Sequence, residues 1–353
     1  MPSPPRLRSR RPSRSITSKL GSDLYRSVAF VLAALDTAAR PGRVGVTREG
    51  VLGRSAAAAR RLMVVAVLVG IAALVAPATA PASEPPSPRI AHRAGDERDR
   101  CGPLIVKPSG RTWECTFVDN FSGTTLDSER WMTQRTTQTG FRTERTCYTD
   151  SPDNLALSDG TLVLTARKGR MVNCHFGAAL LRTRYTGGMI GVRDRYTQTY
   201  GRFEVRGKFP ATQDAGVHGG FWMYPRDDTY GRWPSSGEID VAEWWSSDPT
   251  LVIPSLHFDG RDPDVDSGWD CRVEDVSAFH TYTVVWRRKL IEFSIDGVPC
   301  FSRSWDPDSP LRQPQPFDHP FRMILNMGVS ASTATRHTDF PAPYVVDYVK
   351  AWK

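Results

Sequence analysis

From about Trp113 onward, hydrophobic and polar residues alternate in short runs, and clusters of Gly, Pro, Asp and Asn interrupt these runs. A period of two is the pattern of strands with one buried face, whereas long runs with a helical period are absent. The sequence therefore predicts an all-β protein. The clearest predicted strands are Leu162–Ala166, Phe203–Lys208, Tyr282–Trp286, Leu290–Ile295 and Tyr344–Trp352.

Turn residues and an even composition indicate a single folded unit in this part of the chain. Asp296-Gly297 separates two apolar runs, and this dipeptide supplies the positive φ angles that a tight hairpin needs. The strand pattern continues to Lys353 without a repeat or a second shift in composition. We predict one sandwich of two packed sheets, a single domain, over residues 111–353.

Positive charge is concentrated at the amino-terminal end. The chain of 353 residues has 46 Lys and Arg against 38 Asp and Glu, but Met1–Arg61 alone carries 13 basic and 3 acidic residues. Because the remainder is close to neutral, the basic balance gives no support to a nucleic-acid partner for the folded part. Residues 1–61 are predicted to be a disordered basic leader.

Residues 62–82 have the pattern of a secretory signal peptide. Arg60-Arg61 precedes an apolar run, Leu62–Val75, and Ala78-Thr79-Ala80 is a small-residue cleavage site. The run is shorter than the about 20 residues of a membrane span, although an uncleaved anchor is the alternative. We predict cleavage near Ala80, a linker over residues 83–110, and a secreted, extracellular product without stable membrane association.

Six cysteines all lie after the predicted cleavage site. An even number in an exported chain favours disulfides, although 15 pairings are open from sequence alone. The chain contains no Cys-x-x-Cys, His-x-His or His-Glu-x-x-His motif, so we predict no zinc site and no required cofactor. Pairing by proximity in the sequence predicts the bonds Cys101–Cys115, Cys147–Cys174 and Cys271–Cys300.

Three acidic residues stand among apolar neighbours in the segment Glu238-Ile239-Asp240-Val241-Ala242-Glu243. Side chains alternate along a strand, so Glu238 and Asp240 share one face. Strict alternation would turn Glu243 to the opposite face, but one extra residue in a β-bulge near Val241 or Ala242 returns it to the first face. The spacing therefore predicts a bulge beside a site with three carboxyl groups.

The predicted spacing of Glu238 and Glu243 suits a retaining glycosidase. We expect their carboxyl groups to lie about 5 to 6 Å apart, and retaining enzymes have about 5 to 5.5 Å, against about 6.5 to 9.5 Å for inverting ones. Glu238 is then the nucleophile, Glu243 the acid/base, and Asp240 the residue that orients the nucleophile. Like-charge repulsion predicts that at least one of the three has a raised pKa. The alternative is an acidic strand edge in solvent.

Several sequence blocks between about Trp113 and Lys353 form a recognisable series. They are Phe117–Gly123, Asp159–Leu162, Tyr200–Lys208, Gly237–Glu243, Phe279–Trp286 and Val346–Val349. Together they resemble the signature of glycoside hydrolase family 16, in its laminarinase-like, endo-β-1,3-glucanase-type form. The resemblance implies a concanavalin A-like jelly roll with a concave substrate cleft, and double displacement on β-1,3 or β-1,4 bonds of glucans or galactans. The bulged motif is typical of laminarinase-like members, which favours β-1,3-glucan as substrate.

Positions that match the family also imply substrate-binding residues and a structural calcium ion. Glu204 and Arg206 alternate with apolar residues, so we expect their strand to present polar groups to the cleft. Two tryptophans are expected to stack on sugar rings, while the histidine is equally consistent with a structural role. Asp347 resembles a position that helps to bind calcium in some members. The implied binding set is Asn154, Glu204, Arg206, Trp222, Trp233 and His257.

Together these features predict a secreted, monomeric endo-glycosidase that hydrolyses internal β-linkages of a polysaccharide. A non-catalytic glycan-binding protein on the same fold is an alternative, but such proteins typically lack one or both glutamates, and this chain keeps Glu238, Asp240 and Glu243. A transglycosylase shares every catalytic residue and therefore stays open. A galactanase of the agarase or carrageenase type also stays open, because the motif does not identify the sugar.

Overall fold

The computed structural model describes residues 98–212 and 214–353. The predicted leader (1–61), signal peptide (62–82) and most of the predicted linker therefore lie outside the described residues. In the described part of the chain, no helix is long and apolar enough to cross a membrane. A single short α-helix occurs among these residues, α1 (Thr136–Thr139).

Strands make up most of the described structure. They are β1 (Arg98–Asp99), β2 (Gly102–Pro103), β3 (Cys115–Asp119), β4 (Met132–Thr133), β5 (Thr146–Tyr148), β6 (Leu155–Ser158), β7 (Thr161–Phe176), β8 (Ala179–Gly191), β9 (Gly201–Lys208), β10 (Val217–Pro225), β11 (Glu238–Trp245), β12 (Val252–His257), β13 (His280–Trp286), β14 (Ile291–Ile295), β15 (Val298–Arg303), β16 (Phe321–Val329) and β17 (Ala342–Trp352).

The long hairpin of β7 and β8 joins two groups of strands. One group, which we call the front layer, has the order β12-β11-β10-β16-β8. The other group, the back layer, has the order β7-β17-β9-β13-β14-β15. Neighbouring strands in both layers run antiparallel, and β5 adds a parallel pairing to β8.

Aromatic contacts between the layers show that they pack face to face. Trp244 of the front layer stacks on Phe209, which follows β9, with ring centroids 5.1 Å apart. Trp286 of the back layer meets Phe321 of β16 at 5.1 Å. One large cluster of buried apolar side chains fills the space between the layers. The structure thus confirms the predicted all-β jelly-roll sandwich.

Local predictions from the sequence also agree with the structure. The Asp296-Gly297 turn connects β14 to β15, with Ile295 opposite Val298. The predicted pairing of the six cysteines is confirmed, and the bond Cys101–Cys115 ties the β1–β2 hairpin to β3. The largest difference is in β7, which continues ten residues beyond Ala166 as far as Phe176. Its second half is rich in Lys, Arg and Gly, which hid the strand pattern.

Candidate active site

The three acidic residues lie on β11, in the interior of the front layer between β10 and β12. On the β12 side, Asp240 is opposite Ser255 and Glu243 is opposite Ile253. Three residue steps on β11 therefore match two on β12, which is the signature of a bulge. The predicted interruption of the strand is present at the predicted place.

The pairing with β10 identifies the extra residue. Trp222 is opposite Asp240, and its neighbour Phe221 is opposite Ala242, so Val241 has no counterpart on β10. Val241 is buried in the core between the layers. This single insertion turns Glu243 to the same side as Asp240, which confirms the predicted bulge.

One pocket in the front layer receives all three carboxyl groups. Glu238 and Asp240 are almost fully buried, with 3% and 4% of their surface exposed. Two buried carboxyl groups and a partly buried third at one pocket are expensive to ionise together, so a chemical role explains them better than a solvated strand edge does. The other residues that line the pocket are Thr143, His218, Gly220, Phe221, Trp222, Ala242 and Asn326.

The pKa of Glu238 is raised well above its usual value. Burial is the main cause, followed by the negative charges of Asp240 and Glu243. A hydrogen bond with Asp240 acts in the same direction, while the indole N–H of Trp233 opposes the rise in pKa. The predicted raised pKa is therefore found, but on the predicted nucleophile, and burial contributes more than like-charge repulsion.

His257 reaches the site from β12, directly opposite Glu238. Its Nε2 lies 3.0 Å from Oδ2 of Asp240. Burial, and then the charge of Arg261, lower the pKa of His257, which favours the neutral imidazole. The Nε2–H tautomer of the neutral ring can donate this hydrogen bond to the Asp240 oxygen.

Both predicted tryptophans lie at this site. The ring of Trp233 is 5.6 Å from His257, and the ring of Trp222 packs 6.2 Å from Phe141. The indole N–H of Trp222 donates to Oδ1 of Asn326 over 2.9 Å. A fixed indole beside a carboxyl-lined pocket can present its face to a sugar ring, and their predicted role in stacking stays a prediction.

Sequence reasoning missed two residues of this pocket. His218 of β10 lies with Nε2 2.9 Å from Oε1 of Glu243, and its ring packs on Trp245 with centroids 3.9 Å apart. Asn326 of β16 accepts from Trp222 and donates to the hydroxyl of Tyr148 over 3.2 Å. Cross-strand register brings both residues to the site, and no local pattern marks His218.

Glu204 and Arg206 do not reach the pocket. Both belong to β9, which is in the back layer, and they face the outside of the sandwich. The hydroxyl of Tyr348 donates to Glu204 over 2.8 Å, and Nη1 of Arg206 lies 2.5 Å from Oδ2 of Asp347. The predicted cleft role of Glu204 and Arg206 is therefore wrong. Alternation identified the polar face of their strand but carried no information about the layer to which the strand belongs.

The ion pair of Asp347 also bears on the implied calcium site. The Asp347 carboxylate faces the Arg206 guanidinium, a cation already in place, so the side chains present do not fit a calcium ion there. Among the described residues, one cluster of acidic and histidine side chains is close enough to share a metal ion, namely Glu238, Asp240 and His257. That cluster is the pocket just described.

Asn154 lies outside the carboxyl pocket but near it. Its buried side chain donates to the carbonyl of Thr165 over 2.8 Å and to Oγ1 of Thr186 over 3.0 Å. It also accepts from Thr149, the residue that follows β5. Asn154 therefore lines a neighbouring groove, and its role in substrate binding stays a prediction.

The raised pKa of Glu238 gives an expected effect on stability. A glutamate has a pKa of about 4.3 in the unfolded state. When its pKa is higher in the folded state, it destabilises the folded state increasingly as the pH rises from the unfolded pKa to the folded pKa. Glu238→Gln removes this cost, so its melting temperature should exceed that of the parent by a few degrees at pH 8 and match it at pH 4. Calorimetry at both pH values, with the exposed Glu129→Gln as control, measures the effect. Equal differences at both pH values would contradict it.

Comparison with known proteins identifies the family of this sandwich with a bulged carboxyl strand. The model of "Glycosyl hydrolases family 16" matches residues 142–350, more than half of the chain. The chain therefore belongs to glycosyl hydrolases family 16, as its motifs predicted.

Individual relatives agree with this assignment. The chain is 33% identical, over 67% of its length, to glucan endo-1,3-beta-glucosidase A1 of Niallia circulans, of which the match spans 37%. It is 29% identical to the beta-glucanase of Rhodothermus marinus, over 68% of this chain and 85% of that protein. The crystal structure of the laminarinase from Rhodothermus marinus superposes with a TM-score of 0.58, at 28% identity, over 68% of this chain and 97% of that one.

Proposed function

We propose that this protein is a secreted endo-glycosidase that hydrolyses internal β-1,3 linkages of a glucan with retention of configuration. The observation that carries the proposal is the bulge at Val241, which brings Glu238, Asp240 and Glu243 to one pocket. The names of the glucan-cleaving relatives support β-1,3-glucan as the substrate. Three disulfides support an extracellular location.

Glu238 and Glu243 act in two steps. In the first step Glu243 protonates the glycosidic oxygen while Glu238 attacks the anomeric carbon, so the leaving sugar departs and a glycosyl ester forms on Glu238. In the second step Glu243 removes a proton from water, the water attacks the same carbon, and Glu238 leaves as a carboxylate. Two inversions at one carbon give net retention.

Asp240 and its partners prepare the nucleophile. A hydrogen bond with Asp240 contributes to the raised pKa of Glu238 in the free protein. Glu238 attacks as the carboxylate, and the nearby imidazole of His257 fixes the position of the Asp240 carboxyl group. His218 holds Glu243 in the same manner on the other side of the pocket.

A substrate screen tests the proposed function. We expect release of reducing ends from laminarin, weaker release from lichenan, and none from agarose or κ-carrageenan. Short laminari-oligosaccharides should appear early, as internal cleavage requires. Release from agarose or κ-carrageenan alone would replace the glucanase by a galactanase. Binding to one of these glycans without release from any would favour the non-catalytic alternative.

A further inference from the structure

A second groove lies at the junction of the two layers, with a volume of about 600 Å³. It is formed by β7, β8 and the connection between β5 and β6. Its floor carries Asn154 and its walls carry a series of basic side chains. We call it the basic groove and define it by Asn154, Arg167, Lys168, Arg170, Arg184 and Thr186.

Two acidic residues also border the basic groove, and both are already paired. Asp153 lies 3.6 Å from Nη2 of Arg167, and Asp150 lies 3.1 Å from Nη1 of Arg135. Within residues 98–212 and 214–353, the exposed side chains of Lys168, Arg170 and Arg184 make no ion pair or hydrogen bond. Three cations thus face one concave surface without a counter-charge from the described chain.

The end of β5 links the basic groove to the carboxyl pocket. Tyr148 contacts Asn326 in that pocket, and the next residue, Thr149, lines the groove and donates to Asn154. In the front layer β8 is three strand positions from β11, or about 14 Å at about 4.8 Å per position. Glu243 is level with Met189 of β8, and Thr186 and Arg184 of the groove lie about 10 to 17 Å further along that strand, at about 3.3 Å per residue. The total separation of about 17 to 22 Å is within the length of a glycan of several sugar units.

We propose that the basic groove binds an anionic substituent of the glycan, a sulfate or a carboxylate, a few sugars away from the bond that is cleaved. This inference rests on the proposed function and narrows its preferred substrate to a β-1,3-glucan that carries acidic groups. Arg170 and Arg184 offer planar guanidinium groups that can bind two anionic oxygens at once, and Lys168 adds a compact charge. The near-neutral charge of the chain after Arg61 makes this group a local feature rather than part of a generally basic surface.

Affinity gel electrophoresis measures the preference for charge without turnover. Three gels contain laminarin, lightly sulfated laminarin or lightly carboxymethylated laminarin, and all proteins carry Glu238→Gln so that the glycan is not consumed. The groove variant is Lys168→Gln/Arg170→Gln/Arg184→Gln. The control, Arg111→Gln/Lys289→Gln/Arg312→Gln, removes the same charge from exposed positions outside the groove.

At low salt, we expect the parent and the control to bind at least one charged laminarin about tenfold more tightly than they bind neutral laminarin. A tenfold gain in affinity is about what three weak, exposed ion pairs contribute together. The groove variant should bind charged and neutral glycans equally, and added salt should abolish the preference of the parent. Binding of both charged forms indicates charge recognition, and binding of one identifies sulfate or carboxylate. No charge preference in the parent, or an equal preference in the groove variant and the control, would overturn the proposal.

Laminarin hydrolysis by the same variants with Glu238 restored separates the two proposals. Normal hydrolysis without any charge preference contradicts the basic groove alone. A groove-dependent charge preference without hydrolysis of any glycan contradicts the proposed glucanase and leaves the anion site in place.

Discussion

Glu238→Ala is expected to lower kcat on laminarin by about 10⁴-fold or more, the scale on which removal of a covalent nucleophile acts. The substitution removes the group that forms the glycosyl ester and leaves a space beneath the anomeric carbon. Added azide should enter this space, restore turnover on a substrate with a good leaving group, and yield a glycosyl azide of α configuration. Reducing-sugar release and NMR of the azide product measure both effects.

Glu204→Gln is the matched control for that experiment. The family motifs implied a cleft role for Glu204, but it lies in the back layer and interacts with Tyr348 and Arg202. Its variant should keep nearly normal kcat and KM, with any effect confined to stability. Full activity of Glu238→Ala without azide would refute the assignment of the nucleophile.

Glu243→Ala should lower kcat on laminarin by about 10² to 10⁴-fold, the usual contribution of a positioned acid. Aryl glycosides with good leaving groups need no proton in the first step, so their cleavage to the glycosyl ester should stay near normal. The limb of the pH profile that reports the lost group should also become flat. Rates on laminarin and on a series of aryl laminaribiosides provide the measurement.

The exposed Glu274→Ala serves as the control for Glu243→Ala and should leave every rate unchanged. Equal losses on laminarin and on activated aryl substrates would contradict the acid/base role of Glu243. Such a result would instead indicate that Glu243 contributes to binding or to the shape of the pocket.

The active strand was predictable because its spacing conflicts with regular geometry. Glu238 and Glu243 are an odd number of residues apart, so a shared face requires an extra residue, and the structure places that residue at Val241. The apolar residues between the acids fixed the buried side of the strand. Fold class and disulfide pairing followed from equally local signals.

Features that depend on which strands become neighbours were not predictable. His218 contacts Glu243 only because β10 pairs with β11 in one register. Glu204 has the alternation expected of a cleft strand, yet β9 lies between β17 and β13 in the back layer. Period-two patterns define the two faces of a strand, but they do not define the layer to which it belongs.

Proton NMR of laminarin hydrolysis by the unmodified protein tests the central claim most directly. The claim is that Glu238 and Glu243 catalyse a double displacement, so each new reducing end should first appear as the β-anomer and then mutarotate to the equilibrium mixture. Spectra taken in the first minutes resolve the two anomeric signals. Early accumulation of the α-anomer would show a single displacement by water and would contradict the roles proposed for both glutamates.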